Sequence, residues 1–113
     1  MTLPEEGYLL RVFIGESDLW NGRPLYEAIV SRARELHLAG ATVFRGSVGF
    51  GANSRIHTTK FFRLSEDLPI VVEIVDAEEK INAFLPEIEA MVQDGLVTLE
   101  QVKVIKYRHK ATK

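Results

Sequence analysis

The segment RGSVGFGANSRIHTTK, residues 45–60, places three glycines, Gly46, Gly49 and Gly51, beside polar and basic side chains. Backbone amides at such glycines can bind an anion, and nearby Arg and Lys side chains can neutralise it. A dinucleotide-binding loop requires a helix directly after its glycines, but the residues that follow here are typical of a loop and then a strand. The G-x-x-x-x-G-K-[ST] motif is also absent. Two interpretations remain: an incomplete anion site, or a bulged strand that enters a mobile loop.

Side chains that could help to hold an anion lie near the glycines and close to the end of the sequence. Near the glycines they are Arg45, Asn53, Ser54, Arg55 and Lys60. In the last segment, KVIKYRHK, Lys106 and Arg108 share a face if the backbone is extended. These two cations indicate either a basic wall for a phosphate or carboxylate, or a sheet edge that its charges protect from aggregation.

The remaining titratable residues form no recognisable catalytic or metal-binding set. The three histidines, His37, His57 and His109, are far apart in sequence, so we expect no metal site within one chain, although symmetric copies could bring them together. Ser54 and His57 lack the nucleophile elbow and the third orienting group of a hydrolase. The sequence has no cysteine, which excludes thiolate chemistry. We expect a protein that is not an enzyme, with an enzyme site formed only at a subunit interface as the remaining alternative.

Hydrophobic periodicity predicts the elements that must position these residues. Strands are expected at 8–15, 41–50 and 101–107, with two further extended runs at 56–64 and 68–75. An amphipathic helix is expected at 25–38. A second helix is expected at 76–95, which Asp76 would cap and Pro86 would kink without breaking it.

The order of these elements, β-α-β-(β)-β-α-β, predicts an α+β fold. It fits a ferredoxin-like (split βαβ) antiparallel sheet with two helices on one face and one extra extended segment between the second and third core strands. The uncovered face of such a sheet would carry Val, Ile and Phe side chains. Because water disfavours a large apolar surface, we expect copies of the chain to cover this face.

Length and composition indicate one domain of a cytoplasmic protein. The 113 residues suit a single domain, here with a core at about 8–107 and a flexible basic tail at 108–113. The net charge of −2 argues against a general nucleic-acid-binding protein. No apolar run approaches the roughly 20 residues that a membrane helix needs, and the N-terminal MTLPEEGY lacks the apolar region of a signal peptide. We therefore expect a soluble, cytoplasmic protein.

Three long stretches of the sequence resemble a known family. They are FIGESDLWNGRPLYEAIV, LAGATVFRGSVGFGANSRIHT and RLSEDLPIVVEIVD, and they resemble the PII-like proteins of the domain-of-unknown-function family 190. HLAGATVFRGSVGFGA is also similar to the segment of PII signal-transduction proteins in which the second strand enters the regulatory T-loop. The resemblance implies ferredoxin-like subunits in a homotrimer, with a nucleotide in the cleft between neighbouring subunits.

The resemblance also implies roles for individual residues. Thr42 matches a threonine of the PII second strand, and Gly49 and Gly51 match the glycines that enter the T-loop. Lys106 and Arg108 match approximately the basic residues of the final strand. The segment QDGLVTLEQ, 93–101, departs from the PII B-loop because it lacks that loop's lysine, and the T-loop region at 52–57 is short. The full set of expected ligand-binding residues is Thr42, Gly46, Gly49, Gly51, Asn53, Arg55, Lys106 and Arg108.

Together these observations predict a regulatory protein without catalytic activity and without a resident cofactor. It would bind a small anionic ligand, such as an adenine nucleotide, between subunits and modulate a partner such as a membrane transporter or a fluoride channel. That partner is implied only by the association of family members with transport functions. The alternative is a trimeric metal-tolerance protein similar to those of the CutA type, in which His57 or His109 would converge across subunits.

Overall fold

The computed structural model describes residues 6–50 and 67–108, which form a four-stranded sheet, a short hairpin and two helices. In chain order the elements are β1 (Glu6–Gly15), β2 (Leu19–Trp20), β3 (Arg23–Pro24), α1 (Leu25–Glu35), β4 (Thr42–Arg45), β5 (Pro69–Asp76), α2 (Glu78–Met91) and β6 (Leu96–Lys103). The main sheet has the order β4-β5-β1-β6, and each neighbouring pair is antiparallel. The expected α+β class, with an antiparallel sheet and two helices, is confirmed. The extended run expected at 56–64 and the tail residues 109–113 lie outside the described residues.

The core lies between the helices and one face of the sheet. Alternate residues of β1 and β5 point into it, because side chains of a strand alternate between its two faces. Apolar residues at helical spacing on α1 and α2 complete the same cluster, so both helices cover the same face. The strand residues of this core are Leu10, Val12, Ile14, Ile70, Val72 and Ile74, and the helix residues are Leu25, Ala28, Ile29, Ala33, Ile81, Phe84, Ile88 and Met91.

The last strand lies earlier in the chain than expected. β6 spans Leu96–Lys103, whereas the alternation predicted a strand at 101–107. The strand pairs with β1 from Phe13 to Glu6, and the described part of β1 offers no partner beyond that residue. Lys106 and Arg108 therefore follow the strand, so the expected strand end at residue 107 was wrong and the condition for a shared strand face is not met.

The helix ends also differ from the expectation. α1 ends at Glu35 because His37 adopts a left-handed conformation with φ of 63°. The amides of His37 and Leu38 then donate to the carbonyl oxygens of Arg34 and Ala33, each at 3.0 Å, which closes the helix in a Schellman pattern.

The second helix begins at Glu78 and has Ala77 as its N-cap residue, so the expected cap by Asp76 was wrong. Asp76 belongs to β5 and is fully buried, and its carboxylate accepts from the amide of Ala77 at 2.6 Å. The helix continues through Pro86 without a break, as expected, and ends at Met91. Within residues 6–50 and 67–108, neither helix has the length and apolar character needed to cross a membrane.

Candidate functional site

The end of β4 carries Gly46 and Gly49, two of the expected ligand-binding residues. β4 ends at Arg45 rather than at residue 50, and the amide of Gly46 donates one further hydrogen bond to the carbonyl oxygen of Pro69 at 2.8 Å. A Cβ atom at Gly46 would lie 2.7 Å from Cγ of Pro69, and one at Gly49 would lie 3.1 Å from it. Close packing against Pro69 therefore explains both glycines, because a larger side chain would push the segment away.

The turn that follows β1 contacts the last residue of β4. We call residues 15–18 the clamp turn. The carboxylate of Glu16 pairs with the guanidinium of Arg45, at 2.5 Å between Oε2 and Nη2. The turn is itself stabilised by a hydrogen bond of 3.0 Å from the amide of Gly15 to Oδ2 of Asp18. Arg45, a cation beside the glycines, therefore already has an anionic partner within the chain.

The clamp turn also contacts the start of β5. The amide of Glu16 donates to the carbonyl oxygen of Leu68 at 2.8 Å, and Oγ of Ser17 donates to Oδ1 of Asp67 at 2.9 Å. The turn is thus bonded both to the end of β4 and to the start of β5. Sequence reasoning missed these residues, because Ser17 and Asp67 are 50 positions apart and no local pattern links them.

Four of the expected ligand-binding residues that the structure describes fall at opposite ends of the sheet. Gly46 and Gly49 lie at the end where β1 finishes. Lys106 and Arg108 follow the end of β6, which pairs with the first residue of β1. The 10 residues of β1 separate these two ends by about 30 Å. One chain therefore does not bring the two glycines and the two cations together.

The C-terminal segment 104–108 lies against the loop between α1 and β4. Oη of Tyr107 donates to the carbonyl oxygen of Ala39 at 3.4 Å. The amide of Ala39 donates to the buried carboxylate of Asp76 at 2.8 Å, which fixes this loop to the end of β5. Thr42 begins β4 shortly after Ala39, but its partner Glu73 pairs with Arg11 of β1, so Thr42 lies near the middle of the sheet.

The segment aligned with the PII B-loop is mostly strand. Of residues 93–101, those from Leu96 onward belong to β6. Only a short connection follows α2, and it is tight: a Cβ atom at Gly95 would lie 2.6 Å from the carbonyl oxygen of Phe13. Only residues 92–95 connect α2 to β6.

The sheet face away from the helices carries an apolar row that crosses all four strands. We call this row the open-face row; it consists of cross-strand partners, in sheet order Phe44, Val71, Phe13 and Leu96. Phe44 is 51% exposed and Leu96 is 57% exposed. A shallow depression of about 320 Å³ lies beside the row. An apolar band of this kind on a small protein indicates an interaction surface.

Next to the open-face row lies a charged network centred on Arg11. Its Nε atom is 2.9 Å from Oε2 of Glu73, and its Nη1 atom is 3.0 Å from Oε1 of Glu100. The hydrogen bond to Glu73 is the largest cause that raises the pKa of Arg11. Two carboxylates surround one guanidinium, so this part of the face is net negative and does not itself suit an anionic ligand.

Several expected residues lie outside the described residues. Gly51, Asn53 and Arg55 are among them, as are His57 and His109 of the metal-binding alternative. In the part of the chain that the structure describes, no three His, Cys, Asp or Glu side chains cluster as a metal site. The metal hypothesis therefore depends wholly on residues beyond the described ranges.

Comparison with solved structures identifies the fold. A PII-like signaling protein from Thermus thermophilus superposes with a TM-score of 0.60 at 16% identity, over 88% of this chain and 90% of that one. CPII from Thiomonas intermedia K12, in a structure bound to ADP and bicarbonate, gives a TM-score of 0.58 at 16% identity, over 89% of this chain and 90% of its own. At this identity the similarity establishes a shared PII-like fold.

Comparison of sequences identifies the family. A UPF0166 protein from Aquifex aeolicus (strain VF5) is 48% identical over 97 residues, which cover 86% of this chain and 91% of the relative. A UPF0166 protein from Methanocaldococcus jannaschii is 33% identical over 99 residues, covering 87% and 91%. The model of the domain-of-unknown-function family 190, described as an uncharacterized ACR, matches residues 7–104. The resemblance found in the sequence is thus confirmed, and the chain belongs to the domain-of-unknown-function family 190.

Proposed function

We propose that this protein is a non-enzymatic, PII-like regulator that assembles as a homotrimer and binds a small anionic ligand between neighbouring subunits. One observation carries the proposal: two of the expected glycines, Gly46 and Gly49, and the expected cations Lys106 and Arg108 lie at opposite ends of the sheet, about 30 Å apart. A ligand that contacts both groups needs two chains. The strand order β4-β5-β1-β6 is compatible with the ferredoxin-like subunit that we propose.

The open-face row supports assembly with copies of the same chain. Its apolar side chains cross the whole sheet, and the chain's own helices cover only the other face. Covering the exposed halves of Phe44 and Leu96 would add roughly 2 to 3 kcal/mol per chain, because fully burying one such side chain contributes about 1.5–3 kcal/mol. A cyclic trimer would repeat this contribution at each interface.

An adenine nucleotide is the ligand that we propose first. The structurally similar CPII was solved with ADP and bicarbonate, so a nucleotide and a small anion are compatible with this fold. Lys106 and Arg108 would neutralise the phosphates of a nucleotide that the glycine end of a neighbouring chain also contacts. Ligand binding there would change the surface presented to a partner, for which a membrane transporter or channel is our proposal, and the protein would act in the cytoplasm.

The proposal is tested by the mass of the protein and by its affinity for ADP. Light scattering after size-exclusion chromatography should give three times the chain mass, and calorimetry should detect ADP binding. Arg108→Ala should weaken binding about tenfold or more because it removes a charge-assisted phosphate contact. Arg34→Ala, at an exposed position on α1, serves as the matched control and should bind normally. A monomer, or equal ADP affinity for Arg108→Ala and the wild type, would contradict the proposal.

A further inference from the structure

We propose that Glu16 is an internal competitor of the anionic ligand, and that its release from Arg45 transmits ligand binding to the clamp turn. The inference rests on the proposed function, because it requires an anion to bind beside the glycine end of β4. It adds a regulatory residue that does not contact the ligand.

Arg45 is placed to bind an anion but is already neutralised. Its side chain is 54% exposed, and it lies directly before Gly46, where an anion is expected. A guanidinium has five N–H donors and binds phosphate best through two parallel hydrogen bonds. The pair with Glu16 occupies part of this donor set and places a carboxylate beside the expected anion. A phosphate must therefore displace Glu16 or bind against its charge.

Further carboxylates in and beside the clamp turn strengthen this competition. Besides Glu16, the clamp turn contains Asp18, and Asp67 is bonded to the same turn. The turn that contacts Arg45 thus carries or binds three carboxylates, and its local charge is negative as long as all of them are ionised. Neutralising Glu16 removes the carboxylate that contacts Arg45 directly. It should therefore raise the affinity for an anion more than neutralising a distant carboxylate does.

Displacement of the Glu16 side chain should change the hydrogen bonds between the clamp turn and the start of β5. The backbone of Glu16 is bonded to Leu68, and its neighbour Ser17 is bonded to Asp67. A shift of the Glu16 side chain therefore disturbs the hydrogen bonds that hold the clamp turn to the start of β5. Trp20, the only tryptophan, lies just after this turn and packs partly buried against the core, so its fluorescence can report the movement.

The inference is tested by ADP calorimetry on the full chain and on two matched variants. Glu16→Gln keeps the shape and a hydrogen-bond acceptor for Arg45 but removes the charge. Glu27→Gln makes the same change on the exposed side of α1. We expect Glu16→Gln to bind ADP about fivefold more tightly than the wild type, since the ion pair with Arg45 must no longer be broken. Glu27→Gln should bind as the wild type does.

A second variant pair shows whether Glu16 acts through Arg45. Arg45→Met should weaken ADP binding, and Glu16→Gln added to Arg45→Met should then give a smaller gain, because the competing pair no longer exists and only the repulsion by the Glu16 charge is removed. ADP should shift Trp20 emission in the wild type, and ligand-free Glu16→Gln should already show part of that shift. Circular dichroism checks that each variant folds, and Glu16→Ala replaces Glu16→Gln if the latter does not.

The outcomes separate this inference from the proposed function. If the wild type and Glu16→Gln bind ADP with equal affinity, the inference is overturned while the ligand site stands. A gain from Glu16→Gln that is equally large in the Arg45→Met background would also overturn it. If neither protein binds ADP, the nucleotide site and the inference both fall. If Glu16→Gln binds ADP and the wild type does not, the result supports the inference that Glu16 competes with the ligand.

Discussion

The two faces of the sheet differ in how completely the chain itself covers them. Under the helices, Leu10, Val12 and Ile70 are at most 1% exposed. On the other face, Phe44 and Leu96 remain more than half exposed. Both faces are apolar in the sequence, so composition alone does not distinguish them. One face therefore stabilises the single chain, whereas the other retains apolar surface that a second molecule can bury.

The largest expected effect is on the covered face. Phe84 of α2 is 1% exposed in the core, so Phe84→Ala should lower the free energy of unfolding by about 3–5 kcal/mol through lost transfer energy and a residual cavity. Urea unfolding at low protein concentration measures this value. A loss below about 1 kcal/mol would show that the helix layer packs more loosely than its burial indicates.

The same change on the open face should act on assembly rather than on the single chain. Phe44→Ala removes a half-exposed side chain, so we expect the dissociation of the assembly to require about 1 kcal/mol less for each copy. Sedimentation equilibrium over a range of concentrations measures this change. If Phe44→Ala leaves the self-association constant unaltered, the open-face row is not the contact surface.

The smallest effect is expected for the ion pair between the helices. Nε of Arg32 lies 2.9 Å from Oε1 of Glu87, and this hydrogen bond lowers the pKa of Glu87. A lowered folded-state pKa stabilises the protein above the unfolded pKa, and this stabilisation is lost as the pH falls through the folded pKa. Glu87→Gln should therefore lower the unfolding temperature slightly at neutral pH.

Measuring the unfolding temperature of Glu87→Gln and the wild type at decreasing pH shows whether the charge of Glu87 stabilises the protein. The difference in unfolding temperature between Glu87→Gln and the wild type should shrink as the pH falls, because the wild-type carboxylate becomes protonated. Glu89→Gln, an exposed change on the same helix, is the control. A difference that stays constant with pH would show that packing and not charge causes it.

The elements of the covered face could be predicted from the sequence, because helical and strand periodicity report burial directly. Their ends could not. His37 closes α1 in a left-handed conformation that Gly or Asn adopts more readily. Because His is not a usual residue at this position, the sequence did not indicate that the helix ends there. Asp76 resembled a helix cap, but its burial and its bond to Ala39 depend on a loop from elsewhere in the chain.

The candidate site was predictable in part. The glycines were identified by their spacing, but their contact with Pro69 is a tertiary feature and supplies a structural reason that the sequence did not reveal. The clamp turn has no sequence signature, since Ser17 and Asp67 meet only in the folded chain. The sequence identifies Lys106 and Arg108 as basic residues near its end. The last strand was nevertheless predicted too far along the chain, because the alternation of apolar and polar residues continues past the end of β6.

If neighbouring chains share one ligand site, variants that each damage one side of it should complement each other. Arg45→Met and Arg108→Ala are co-expressed, and mixed assemblies carrying both are purified by two different tags. If the residues act across a subunit interface, about a third of the interfaces in the purified mixed trimers regain both intact side chains. The ADP affinity that each variant has lost alone should then return at that fraction of sites. No recovery in mixed assemblies would contradict a shared site.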